Sequence, residues 1–108
     1  MQNVLGNELV ILEKRPEVNP QSARNFLRTL RAHLYSPEDM SDTDNLVAWT
    51  RLIRLFNRFG LTATDFQTEL GVSPMELQQW LNGVQMPTRI QLRKDMVVNM
   101  TTLLAARI

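Results

Sequence analysis

The stretch from Leu61 to Gly83, LTATDFQTELGVSPMELQQWLNG, constrains this chain more tightly than any other. Phe66 and Leu70 fall one helical turn apart, and Leu77 and Trp80 fall three residues apart, so two short helices each bury one stripe. Between them stands Leu70-Gly71-Val72-Ser73. Gly71 takes positive φ without steric cost and ends the first helix, while Ser73 followed by Pro74 is an N-cap and first-turn pair that opens the second. A turn this short keeps the two helices from lying antiparallel. The spacing predicts that they cross steeply, the geometry of a helix-turn-helix.

The flanks read as further helices. Leu46, Trp49, Leu52, Ile53 and Phe56 form an apolar stripe over about residues 43 to 59, with Arg51, Arg54 and Arg58 recurring on another face. Asn19 and Pro20 start an earlier helix, about 20 to 35, whose apolar face carries Ala23, Phe26, Leu27, Leu30 and Leu34. Beyond the central stretch, Val84 to Met86 reads as a loop, and Thr88 is placed to cap a last helix bearing Ile90, Met96, Val97, Met100, Leu103 and Leu104. The opening segment, Gln2 to Arg15, suits either a helix or a short strand through Leu9-Val10-Ile11-Leu12. The predicted fold is all-α with about five helices: an N-terminal extension over 1–42 and a helix-turn-helix domain over 43–108.

Composition bounds the function. A chain of 108 residues with 44% hydrophobic and 21% charged side chains builds one modest core. It has no cysteine, which removes disulfides, thiolate zinc sites and cysteine nucleophiles. No signal-peptide pattern and no apolar run of about 20 residues is present, so the expectation is a cytoplasmic protein without a membrane span. The net charge of +1 is unevenly spread, −2 over residues 1–45 and +3 over 46–108. The basic half contains the central stretch.

Taken in order, Gly60-Leu61-Thr62, Leu70-Gly71-Val72-Ser73, Trp80, Asn82-Gly83 and Pro87 resemble the helix-turn-helix of the phage repressor and Cro type, also called XRE-like. The resemblance covers about residues 46 to 104. It implies a Cro/repressor-like fold and a sequence-specific transcriptional regulator of bacterial or phage type, with helix 73–82 in the major groove of double-stranded DNA. Leu77 and Trp80 then face the core, leaving Pro74, Met75, Glu76, Gln78, Gln79 and Asn82 outside. Gln79 is the best single base reader, because its amide both donates and accepts, as a bidentate pair with adenine requires. Met75, one turn away, suits a thymine methyl, and Glu76 suits cytosine N4. Contacts to the DNA backbone fall to Thr62, to the loop containing Gln85, and to Arg89, Arg58 and Lys94.

Three positions depart from the family pattern. Gln67 stands where a small Ala is usual, so either its side chain swings toward solvent or the two helices sit slightly apart. Ala63 replaces a Gln that contacts phosphate, and Leu81 replaces a Glu that pairs with an Arg of the preceding helix, near Phe56 in this chain.

Residues 61–83 contain Asp65, Glu69 and Glu76 but no Lys or Arg, so phosphate neutralisation must come from flanking arginines. Few cations per subunit predicts a homodimer reading half-sites about 34 Å apart, with Met96, Val97, Met100, Leu103, Leu104 and Ile108, or the N-terminal helices, as its contact. The same acidic character suits a second reading. In it the chain is a protein-interaction module, such as an antitoxin, antirepressor or adaptor, whose helix-turn-helix polar face meets protein; the two readings combine if the motif binds DNA and residues 1–40 bind a protein partner. An enzyme is not expected: His33 is the single histidine, and no cofactor motif, metal-ligand spacing, phosphate-cradling loop or nucleophile motif occurs. Arg24, Arg28 and Arg31 read as the solvated face of the 20–35 helix.

Overall fold

Capping chemistry sets where most of the helices begin. The computed structural model describes residues 19–108, so the reading of Gln2 to Arg15 as helix or strand lies outside the described residues. Helix α1 spans Pro20–Ala32 behind Asn19, whose side chain accepts from the Gln21 and Ser22 amides. Helix α2, Asp42–Arg58, starts behind Ser41, which accepts from the Asp44 amide, and carries Asp42 and Asp44 at its positive end and Arg58 at its negative end. Helices α3 (Ala63–Leu70) and α4 (Pro74–Leu81) each open with a reciprocal capping box, Thr62 with Asp65 and Ser73 with Glu76. Helix α5 spans Ile90–Ala105, and a 3-10 turn at Pro37–Asp39 leads into α2. Among the described residues the fold is all-α, with five α-helices and no strand.

Two boundaries differ from the sequence pattern. Helix α1 stops at Ala32 rather than 35, with the His33 amide closing the last turn on the Thr29 carbonyl. Leu34 therefore leaves the apolar face and is 78% exposed, because the chain must extend ahead of Pro37. At the other end, Thr88 does not cap α5. Arg89 occupies that position without a side-chain capping bond, and the start of α5 is fastened instead by Arg93. This arginine is buried, its Nε donating to the Tyr35 hydroxyl at 3.0 Å and its Nη1 to the Pro87 carbonyl.

One core draws on every helix: Leu27 from α1, Trp49, Ile53 and Phe56 from α2, Phe66 from α3, Leu77 and Trp80 from α4, and Met96, Val97, Met100 and Leu104 from α5. Trp49 and Trp80 meet edge to face with ring centroids 5.4 Å apart, joining α2 to α4. Phe26 of α1 packs edge-on against Phe56 and stacks on Phe59, both at 5.1 Å. The burial of Met96, Val97, Met100 and Leu104 corrects the expectation that they form a contact with a second copy, since their apolar area is already covered by the chain's own core. The large apolar side chains that α5 leaves exposed are Ile90, Leu92 and Val98.

An ion pair ties the region after α5 to the start of α3. Arg107 grips Asp65 with two guanidinium bonds, Nη2 to Oδ1 at 2.8 Å and Nη1 to Oδ2, while the Thr62 amide donates to the same carboxylate at 2.7 Å. Burial disfavours the ionised carboxylate, but the Arg107 hydrogen bonds, the Thr62 amide and hydroxyl, and the Arg107 charge outweigh it and hold Asp65 at about 2. The unfolded value lies near 3.8, so this stabilisation is complete above that pH and is lost as pH falls toward 2.

The difference between wild type and Asp65→Asn isolates this pair. Urea titrations above pH 5 are expected to show the variant about 2 to 3 kcal/mol less stable, with the gap shrinking between pH 4 and 2. A gap independent of pH would remove the charged pair as its cause. Truncating Trp80→Ala is expected to cost about 3 to 5 kcal/mol in the same titration, the range for deleting a large aromatic from a packed core.

Candidate nucleic-acid interface

The outward face of α4 is set by the residues that point inward. Leu77 and Trp80 are buried, so the stripe on the other side of the helix carries Met75 and Gln79, one turn apart. Met75 is 73% exposed and Gln79 is half-buried. Pro74, Glu76 and Asn82 are exposed, and Gln78 is half-buried. Gly71 ends α3 at φ +69°, its amide and that of Val72 both returning to the Phe66 carbonyl, so the turn into α4 is only Gly71-Val72-Ser73.

Glu76 has a local task. Its Oε1 accepts from the Ser73 amide at 3.2 Å while the Ser73 hydroxyl accepts from the Glu76 amide at 3.2 Å. The carboxylate thus folds back on the start of α4, where the helix dipole favours it. Thr62 performs the matching role for α3 and is half-buried, its hydroxyl accepting from the Asp65 amide at 3.2 Å. Gln67 is exposed, as its length demands beside a packed helix.

After α4, Asn82 returns its amide to the Gln78 carbonyl and Val84 to the Gln79 carbonyl, and Gly83 takes φ +73° to release the chain into the loop. Gln85 and Arg89 are exposed along that loop. They border a cleft of about 380 Å³ whose walls include Trp80, Met86, Leu92 and Met96. Arg93 pins Pro87 from within, so the loop is carried by α5.

The cations divide into engaged and open ones. Lys94 is half-buried and pairs with Glu38, Nζ to Oε2 at 2.7 Å, a pair that draws the Glu38 carboxyl below its ordinary range through the lysine hydrogen bond. Arg54 crosses to α4, its Nε donating to the Leu81 carbonyl at 2.7 Å, where a guanidinium complements the negative end of the helix. That contact also fixes the direction of Arg54 in the basic stripe. Arg51 and Arg58 lie one turn to either side of Arg54 on the same face of α2, both exposed. Of these three only Arg58 had been singled out from sequence; the three-and-four spacing was visible, but not its approach to the end of α4.

Part of the acidic character of residues 61–83 is answered from outside, at Asp65. Asp65 is held by Arg107, which also feels the charge of Glu69, and Glu76 is held by its own capping box. Among the described residues no group of three or more His, Cys, Asp or Glu side chains is arranged to hold a metal ion, and no helix is long and apolar enough to cross a membrane.

No protein-family model, no curated protein and no solved structure matches this chain.

Proposed function

We propose that the protein is a sequence-specific, double-stranded-DNA-binding transcriptional regulator of the phage repressor and Cro type, cytoplasmic and acting as a homodimer. The observation that carries this reading is α4: a short helix anchored from behind by Leu77 and Trp80, with Met75 and Gln79 outward and Arg54 of α2 at its far end. Inserted in the major groove, Gln79 reads an adenine edge and Met75 touches a thymine methyl. Phosphates on either side meet Arg51 and Arg58 of α2 and Gln85 and Arg89 of the loop.

Two identical subunits supply the phosphate contacts that one lacks, and a palindromic site follows from their symmetry. With the large residues of α5 spent in the core, the apolar side chains still open to a second copy include Val98 and Leu92.

The competing reading, an antitoxin, antirepressor or adaptor whose polar face meets protein, draws on the absence of Lys and Arg between residues 61 and 83. One selection separates the two. Random duplex DNA is incubated with protein at salt concentrations from about 50 mM upward, and the retained fraction is sequenced. Enrichment of a palindrome is expected, with Gln79→Ala relaxing discrimination at one base pair per half-site by about 1 to 3 kcal/mol. No retention at the lowest salt would overturn the DNA reading in favour of a protein partner. Sedimentation equilibrium at about 50 µM protein is expected to give the dimer mass; a monomer throughout would remove the two-subunit arrangement.

A further inference from the structure

A second cleft lies at the other end of α5. Its volume is about 380 Å³ and it is lined by Arg24, Leu27, Arg28 and Arg31 of α1 with Ala105 and Ile108. Leu92, which borders the cleft beside α4, and Ala105 are separated along α5 by about 20 Å, given a rise of about 1.5 Å per residue. The two clefts share no residue.

The three arginines form one exposed stripe, spaced four and three residues apart on α1. Arg24 Nη2 donates to the Ile108 carbonyl oxygen at 3.3 Å, and Arg28 Nη1 to Asn25 Oδ1 at 3.3 Å. Among the described residues no Asp or Glu lines the cleft. This differs from Arg107 and Lys94, which are matched by Asp65 and Glu38. Like charges one turn apart repel on a helix surface, and among the described residues only the Ile108 and Asn25 oxygens accept from them.

We propose that this cleft docks an acidic amphipathic peptide segment of a partner protein. Its apolar side chains settle on the half-buried Ala105 and Ile108, with Leu27 buried behind them, and its carboxylates pair with Arg24, Arg28 and Arg31. Guanidinium forks match carboxylates in two-point contacts, and an amphipathic segment laid in a groove uses the floor and the rim together. The floor is what selects peptide over nucleic acid, since a phosphate backbone needs the cations but offers nothing apolar to Ala105 and Ile108. The inference is independent of whether α4 binds DNA.

The test uses the full chain, immobilised, against a displayed library of peptides about 16 residues long, randomised among acidic, neutral and apolar residues, at about 50 mM salt. The comparison proteins are R28E/R31E and, as a milder pair, R28Q/R31Q. All four substitutions fall on exposed positions, and circular dichroism checks the fold of each. Enriched peptides are expected to interleave Asp or Glu with Leu, Ile or Phe at helical spacing. Affinity of the best synthetic peptide, read by fluorescence anisotropy, is expected to fall at least about tenfold in R28E/R31E and less in R28Q/R31Q. No enrichment, enrichment of peptides lacking acidic residues, or equal binding to the variants would overturn the proposal. So would loss of duplex-DNA retention in both variants without any peptide binding, which would make the stripe a phosphate contact.

Discussion

The contact between Trp49 and Trp80 is the interaction on which the outer surface depends. Helix α4 has eight residues, and an isolated helix shorter than about 12 residues is marginal in water, so intrinsic propensity cannot hold it in place. Its position comes from Leu77 and Trp80, buried in a core to which α2 gives Trp49, Ile53 and Phe56, with Arg54 of α2 holding the Leu81 carbonyl at its far end. Every residue on the free side of α4 inherits its direction from that packing. The same logic extends to the loop after α4, which Arg93 carries on α5 through the Pro87 carbonyl. The presenting elements are short, and the elements behind them are long.

Charge is organised in two classes. Some ionic groups are spent on the fold: Arg107 on Asp65, Lys94 on Glu38, and Glu76 on the start of its own helix. Others stand in exposed stripes, Arg51 and Arg58 on α2 and Arg24, Arg28 and Arg31 on α1. The pairing of Asp65 with a residue far along the chain changes how the central stretch should be read. Taken as a linear segment it is acidic, but part of that charge is answered by a side chain that periodicity gives no reason to associate with it.

Much of the architecture was legible in the sequence. Asn19 and Ser73 start helices as read from the sequence, and Ser41 and Thr62 do so in the structure, because each offers a side-chain oxygen to amides two or three residues ahead. Gly71 ends α3 for an equally local reason, its positive φ. The buried positions of α2 and α4 followed from helical spacing, and Gln67 faces solvent because a long amide does not fit at that site. The candidate site was legible to the same extent: the spacing that buries Leu77 and Trp80 also turns Met75 and Gln79 away from the core.

The errors share a cause. The end of α1 and the start of α5 were misjudged because Leu34 and Thr88 satisfy local patterns that the path of the chain toward Pro37 and the grip of Arg93 override. Met96, Val97, Met100 and Leu104 were assigned to a partner because an apolar stripe does not say which surface will cover it. The sequence alone determined helix type, most helix starts, the tight turn and which side chains turn inward, since these depend on backbone conformation and spacing within a few residues. Only the tertiary structure decided that Arg107 reaches Asp65, that Arg54 reaches Leu81 and that three arginines of α1 meet Ala105 and Ile108 across one cleft. Those contacts join residues distant in the chain, and only the packing of whole helices brings them within reach.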